Sequence, residues 1–268
     1  MAKVLSVIRG KRQTRRFQRT VFLLPGMFTV ANLFCGYASI VYAMRADYGP
    51  AAVFIGVATL LDLLDGRIAR LAGAASEFGG EFDSLADVIS FGVAPAVLVF
   101  AWGLEPLGRL GWVVGFLYVT ATALRLARFN VQTGNPDKRY FIGMPSPAAA
   151  GVLASTVFVW PAGFGIAQAP LVALVVVLVP ALMMVSRLRF RSFGALTLRP
   201  DRSFLVLLQF AFLIAAIAVQ PRSVLFIMAY SYLVSGPIGF VLGRLKPRTA
   251  RRKVNDERAG DLPGAQVG

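Results

Sequence analysis

The sequence contains no histidine, a single cysteine and only 13 acidic residues among its 268. Without histidine the chain cannot form a Ser-His-Asp triad, a histidine metal site or an imidazole acid–base pair. The lone Cys35 excludes an intrachain disulfide and any zinc site built from several cysteines. Any chemistry must therefore use carboxylates, arginine, lysine, hydroxyl groups or a bound metal ion.

Charge is scarce as well, because only 15% of the residues are charged while 57% are hydrophobic. A mean hydropathy of +0.67 is typical of a chain that crosses a bilayer repeatedly, since the apolar layer is roughly 30 Å thick. We predict an all-α polytopic membrane bundle. One membrane-embedded domain is expected over residues 21–246, preceded by a basic segment on the membrane surface (1–20) and followed by a disordered cytoplasmic tail (247–268).

Uncharged runs predict about eight transmembrane helices. The predicted spans cover residues 21–44, 48–71, 88–104, 110–124, two helices within 147–186 separated by a turn at 160–165, then 203–220 and 223–243. An even number places both termini on one side. All of the 28 Lys and Arg except Arg45, Arg109 and Arg222 then fall on that side. The protein is therefore predicted to lie in the inner membrane with both termini facing the cytoplasm. This orientation accounts for the net charge of +15, so no nucleic-acid partner is expected.

Two pairs of aspartates lie near the ends of the second and third predicted spans. Asp62 and Asp65 share one helical face, and Asp83 and Asp87 stand one helical turn apart. Consecutive antiparallel helices would turn the two pairs toward one another. Like charges repel in an apolar environment, so four ionised carboxylates require compensation by cations. Oxygen-only ligands suit Mg²⁺ or Mn²⁺, and we predict two such ions that together hold a phosphoryl group.

The same aspartates are compatible with two different roles. They could be purely structural partners of arginines across the bundle, or they could line the path of a divalent-cation transporter. Transport, however, leaves no task for the small residues and the arginine beside the carboxylates, which are Gly66, Ala69 and Arg70.

The aspartates belong to a longer pattern with fixed spacing, Asp62-x2-Asp65-Gly66-x2-Ala69-Arg70-x8-Gly79-x3-Asp83-x3-Asp87. This pattern resembles the signature of the CDP-alcohol phosphotransferases, membrane enzymes that join an alcohol to a phosphate from a CDP-activated partner. The resemblance implies their fold, a homodimer, and two divalent cations bound by Asp62, Asp65, Asp83 and Asp87, with Asp87 also acting as the general base. It further implies that Gly66, Arg70 and Ser76 bind the CDP-lipid.

Four more blocks, at residues 24–36, 90–95, 125–130 and 141–147, resemble the branch of that family that uses serine. The resemblance implies transfer of a phosphatidyl group from CDP-diacylglycerol to the hydroxyl of L-serine, with release of CMP. Glycerol 3-phosphate, an inositol compound or choline remain alternative acceptors. In the first block Thr29 and Asn32 share a helical face and are expected to contact the cytidine side of the lipid, although Gly26 stands where an asparagine is expected.

Serine carries a carboxylate that a site already containing phosphates must neutralise. Arg125, Arg128 and Asn130 lie at the predicted cytoplasmic end of the fourth span and offer suitable donors. We expect at least one of the two arginines to bind serine or a phosphate, the alternative being anchoring at the membrane surface. The loop over residues 132–147, rich in glycine and proline, either closes over the site or merely connects two helices.

Overall fold

The computed structural model describes residues 26–72, 77–131, 140–191 and 203–245. Within these ranges the regular secondary structure is helical apart from one short ladder between β1 (Tyr140–Ile142) and β2 (Arg189–Arg191). The helices are α1 (Gly26–Met44), α2 (Tyr48–Ala72), α3 (Glu77–Asp87), α4 (Ala94–Val99), α5 (Arg109–Val131), α6 (Ser146–Val159), α7 (Ala169–Val185), α8 (Ser203–Val219) and α9 (Pro221–Leu245). The predicted helical bundle is thus confirmed, while the predicted surface segment 1–20 and tail 247–268 lie outside the described residues.

Four of the helical segments are long and apolar enough to cross a membrane. They are Gly26–Met44, Phe78–Leu107, Arg109–Val131 and Pro221–Val241, and the shorter helices α6 and α7 are also apolar. These segments are those of an integral membrane protein. The number of eight spans and the direction in which they cross the membrane stay predictions.

The third predicted span differs from a plain α-helix. A π-helix over Val88–Val93 joins α3 to α4, and a second one over Phe100–Leu104 follows α4 before a 3₁₀ turn at Glu105–Leu107. Wider π turns shift backbone carbonyls out of the regular α ladder. Neighbouring helices donate to carbonyls of both segments, since the Tyr118 hydroxyl binds the Phe91 oxygen at 3.1 Å and the Tyr48 hydroxyl binds the Ala101 oxygen at 2.8 Å. Tertiary contacts therefore support the departure from α geometry.

Helix α6 lies at the centre of the described bundle, where it packs against α2, α7 and α9. Its inward residues include Ala149, Ala150 and Ala154, and α2 contributes the buried Ala51 and Ala58. Small side chains let apolar helices approach closely, which is how helices associate where there is little water to drive burial. This close packing fixes the helix ends that carry the candidate site.

The β1–β2 ladder ties together the loops that follow α5 and α7. Phe141 pairs with Phe190 in antiparallel register, and the Gly143 amide extends the ladder by donating to the Leu188 oxygen at 2.8 Å. Phe190 is fully buried and lies against α9, beside the ring of Tyr232 and over Gly236, where a Cβ would collide with its ring. The described end of the 132–147 loop is therefore anchored in place.

Candidate active site

Three of the four predicted aspartates converge from α2 and α3. One carboxylate oxygen each from Asp62, Asp83 and Asp87 lies within 4.8 Å of the others. Asp87 is buried, and Asp62 and Asp83 are half-buried. The spacing of Asp83 and Asp87 puts them on one face of α3, so only the meeting with Asp62 depends on how the helices pack.

The fourth aspartate, Asp65, is also buried and interacts electrostatically with Asp62 and Asp83. Its Oδ2 accepts a hydrogen bond of 2.5 Å from the hydroxyl of Thr29 on α1. Asp65 thus belongs to the same charged cluster but lies outside the group of three convergent oxygens. Its role as a metal ligand stays a prediction.

The three convergent carboxylates fit a divalent cation. Carboxylate oxygens are the donors that Mg²⁺ and Mn²⁺ prefer. Within the described residues, Asp83 Oδ1 is buried and has no hydrogen-bond partner. An unpartnered carboxylate oxygen is costly inside an apolar bundle, and so is the mutual repulsion of three carboxylates. A bound cation would remove both costs.

Thr29 and Asn32, which the sequence suggested as cytidine contacts, both reach aspartates. The Asn32 side-chain amide donates to Asp87 Oδ1 at 3.2 Å, as Thr29 does to Asp65. The two α1 residues are only 3% and 1% exposed. The structure therefore places them against the carboxylates, and a contact with the nucleotide stays a prediction.

Arg125 on α5 adds a positive charge to this cluster. It interacts electrostatically with Asp62 and Asp87. Its Nη1 donates a hydrogen bond of 2.6 Å to the hydroxyl of Ser146, the first residue of α6. The guanidinium also lies 5.7 Å from the centroid of the Phe129 ring, within range of a cation–π interaction.

The remaining two predicted acceptor residues have different partners in the structure. Arg128 Nη1 donates to the backbone oxygen of Val185 at 3.3 Å, where α7 ends. The Asn130 amide donates to the Ser84 hydroxyl at 2.9 Å and so joins the end of α5 to α3. Among these three residues, Arg125 is the one that the described structure couples to the aspartates.

The predicted CDP-lipid residues are only partly described. Gly66 is exposed on α2, and an added Cβ would meet no described atom within 4 Å, so a ligand has room to approach the backbone. The side chain of Arg70 and all of Ser76 lie outside the described residues. The roles of these three residues stay predictions.

Sequence reasoning missed two serines that support the site. Ser146 holds Arg125, and Ser90 donates to the backbone oxygen of Asn32 at 3.0 Å, joining the first π segment to α1. Gly36 permits this contact because a Cβ there would collide with Ser90. Both serines lie inside blocks already singled out, at 90–95 and 141–147, but an isolated hydroxyl has no periodic pattern that reveals its partner.

The chain is similar both to a known family and to individual proteins within it. Residues 22–188 match the family model described as CDP-alcohol phosphatidyltransferase. The chain is 35% identical over 229 residues to the CDP-diacylglycerol–serine O-phosphatidyltransferase of Helicobacter pylori, covering 84% of this chain and 94% of the relative. It is 32% identical over 221 residues to the protein of the same name from Mycobacterium leprae, covering 80% and 73%. Archaetidylserine synthase of Methanothermobacter thermautotrophicus is 40% identical over 134 residues, covering 49% of this chain and 56% of the relative.

Proposed function

The chain belongs to the CDP-alcohol phosphatidyltransferase family, and we propose that it transfers the phosphatidyl group of CDP-diacylglycerol to the hydroxyl of L-serine. The products are phosphatidylserine and CMP, so the protein is a transferase of phospholipid biosynthesis. The observation that carries this proposal is the convergence of Asp62, Asp83 and Asp87 beside Arg125. The relatives named for the same acceptor support the choice of serine.

The aspartates supply the metal-binding part of the site. We propose that Asp62, Asp65, Asp83 and Asp87 hold two divalent cations, Mg²⁺ or Mn²⁺. When bound, such ions neutralise phosphate charge and stabilise the departing CMP. Gly66, Arg70 and Ser76 are proposed to hold the CDP-lipid next to them.

The reaction is proposed to be a single displacement. The serine hydroxyl oxygen attacks the phosphorus of the phosphatidyl group, the bond from that phosphorus to the oxygen of CMP breaks, and CMP leaves. Asp87 accepts the hydroxyl proton. Asn32 holds Oδ1 of Asp87 and so orients the carboxylate for this transfer. The sequence has no histidine, and its single cysteine is buried on α1. A direct displacement is therefore simpler than a mechanism with a covalent intermediate on such a nucleophile.

We propose that the enzyme works as a homodimer in the inner membrane, with both termini and the aspartate cluster facing the cytoplasm. The distribution of Lys and Arg supports this orientation. The homodimer is proposed from family membership alone.

The test is mass spectrometry of the lipid formed by the purified protein in detergent. CDP-diacylglycerol is supplied with Mn²⁺ or Mg²⁺ and a mixture of L-serine, glycerol 3-phosphate, inositol, inositol phosphate and choline. We expect phosphatidylserine and CMP in equal amounts. Chelator should abolish the reaction, and added metal should restore it. Asp87→Asn should lower the rate by at least about a hundredfold, since it removes the base and a metal ligand.

Asp47→Asn is the matched control for loss of a carboxylate. Asp47 is exposed in the turn before α2, about four helical turns away from Asp62, so this variant should keep the wild-type rate. If another phosphatidyl lipid forms, serine is not the acceptor, although transfer of the phosphatidyl group from CDP-diacylglycerol still holds. Absence of CMP release with every acceptor would contradict the proposed activity.

A further inference from the structure

We propose that Arg125 binds the carboxylate of the acceptor serine and that Ser146 is the positioning residue that holds the Arg125 guanidinium for this task. The inference rests on the proposed function and deepens it, because it assigns recognition of one acceptor group to one pair of residues. It also separates Arg125 from Arg128, which the sequence presents as equivalent.

The partners of the two arginines argue for this separation. Arg128 reaches the backbone oxygen of Val185 at the end of α7, where a cation is favoured by the partial negative charge of the helix terminus. That contact is a helix cap. Arg125 instead interacts with Asp62 and Asp87. Since Asp87 is the proposed base for the serine hydroxyl, a group that binds the other end of serine must lie close to it, as Arg125 does.

A guanidinium that interacts with two carboxylates, as Arg125 does with Asp62 and Asp87, needs a further restraint if it is to remain available to a ligand. Without one, it would be drawn into direct pairing with the aspartates. The 2.6 Å hydrogen bond from Arg125 Nη1 to the Ser146 hydroxyl supplies such a restraint on one side, and the Phe129 ring supplies another. Arginine has five N–H donors, and a carboxylate needs two of them, so one bond to Ser146 leaves enough donors for bidentate binding of serine.

Ser146 is itself held rigidly. It is fully buried at the start of α6, between Pro145 and Pro147. Just before it, the Met144 amide donates to the Met183 oxygen at 3.0 Å and the Gly143 amide donates to the Leu188 oxygen. Gly143 has φ +82°, and a Cβ there would collide with the Met184 oxygen, so glycine allows the loop to pass this closely to α7. These contacts hold the backbone directly before Ser146 and so restrict where its hydroxyl can lie.

The test compares two acceptors that differ at the carboxylate. L-Serine and L-serinamide have the same hydroxyl and amine, but the amide carries no negative charge. Steady-state rates are measured for the wild type, Ser146→Ala, Ser146→Thr, Arg125→Lys and Arg128→Lys, with CDP-diacylglycerol saturating and the melting temperature of each variant recorded. Ser155→Ala is the control, because Ser155 is a buried serine on the same helix whose hydroxyl binds the backbone oxygen of Val152 in its own helix.

For Ser146→Ala we expect the KM for L-serine to rise about tenfold, with kcat within about twofold, as loss of one hydrogen bond to a charged group predicts. The preference for L-serine over L-serinamide should fall by a similar factor. Ser146→Thr restores the hydroxyl and should recover most of that preference. Arg125→Lys should lower it further, because lysine cannot bind a carboxylate in a bidentate manner.

Equal losses with L-serine and L-serinamide would overturn the inference, since the hydroxyl would then support the fold and not carboxylate recognition. An effect of Ser155→Ala as large as that of Ser146→Ala would do the same. So would a loss of serine preference in Arg128→Lys but not in Arg125→Lys. Formation of phosphatidylserine by the wild type is measured before any variant is compared. If the wild type forms none, the proposed function itself is wrong.

Discussion

Thr29 and Asn32 each hold one oxygen of an aspartate through a hydrogen bond from a buried side chain. Hydrogen bonds to ionised groups are stronger than those between neutral groups. Metal ligands depend on such partners because the partner fixes the orientation of the carboxylate, and its loss commonly weakens metal binding. At the residue scale, these two side chains are therefore expected to act on the aspartates and not merely to fill space.

Thr29→Val tests this role because valine has nearly the shape of threonine and carries a methyl group in place of the hydroxyl. We expect Mn²⁺ affinity, measured by electron paramagnetic resonance on the protein without lipid substrate, to fall about tenfold or more. The rate of phosphatidylserine formation at limiting Mn²⁺ should fall with it. Excess Mn²⁺ should restore much of the rate, since the aspartates themselves are intact.

Thr120→Val is the matched control for this substitution. The Thr120 hydroxyl binds the Phe116 oxygen one turn earlier in its own helix, away from the aspartates. The Mn²⁺ affinity of the Thr120→Val protein should equal that of the wild type. If Thr29→Val binds Mn²⁺ as tightly as this control does, Thr29 does not position Asp65 for a metal.

The first π segment, Val88–Val93, begins directly after Asp87. Short π segments often occur at functional sites, where they re-aim the side chains around them. Here the segment buries Ser90, Phe91 and Gly92 in succession and brings Ser90 to the backbone of Asn32. At the scale of the element, the departure from α geometry links the end of the aspartate motif to α1.

Tyr118→Phe tests how much this segment depends on α5. The substitution removes the hydroxyl that donates to the Phe91 oxygen and leaves a fully buried carbonyl without that donor. We expect the free energy of unfolding to fall by about 1–3 kcal/mol, measured as a lower melting temperature in detergent. Tyr37→Phe, on the exposed face of α1, should change it by less than about 0.5 kcal/mol. Equal effects of the two substitutions would show that the Phe91 contact adds no stability.

Gly143 and Gly163 form a natural pair for testing the anchored loop. Both have φ +82°, but an added Cβ collides with the Met184 oxygen at Gly143 and meets no described atom within 4 Å at Gly163. Alanine at either position costs about 1–2 kcal/mol for its left-handed backbone. We expect Gly143→Ala to lower the melting temperature clearly more than Gly163→Ala. Similar losses would mean that the close approach to α7 relaxes without cost.

At the scale of the whole molecule, the charged site residues lie toward one end of their helices. The aspartates lie in the second half of α2 and in α3, Arg125 lies near the end of α5, and Ser146 begins α6. If the helices alternate in direction across the membrane, these ends share one side. The excess of Lys and Arg predicts that this side faces the cytoplasm.

Single cysteines test this topology in a Cys35→Ala background. Val131→Cys marks the exposed end of α5, and Ala167→Cys marks the exposed turn between α6 and α7. A membrane-impermeant maleimide applied to intact cells should label Ala167→Cys and should reach Val131→Cys only after the inner membrane is opened. Labelling of both positions in intact cells, or the reverse order, would contradict the predicted orientation. Phosphatidylserine formation in each variant confirms that the protein is assembled.

Much of the helical layout was predictable because it depends on local composition. The predicted boundaries for α2, α8 and α9, at 48–71, 203–220 and 223–243, lie within about two residues of the observed helices, and the turn between α6 and α7 falls where Trp160, Pro161 and Gly163 interrupt the apolar run. The π segments were not predictable, since their stabilising donors, Tyr48 and Tyr118, come from different helices. The β1–β2 ladder was missed for a similar reason, because each strand has only three residues and its partner lies far along the chain.

The sequence by itself determined which residues carry the chemistry and which of them share a helix face. Helical periodicity aligns Asp83 with Asp87, and apolar surroundings make such carboxylates expensive unless a cation compensates them. Only the tertiary structure decided what each polar side chain touches: Thr29 on Asp65, Asn32 on Asp87, and Arg125 on Ser146. The physical reason is that periodicity operates within one helix, whereas these contacts join different helices and depend on how closely small residues allow those helices to pack.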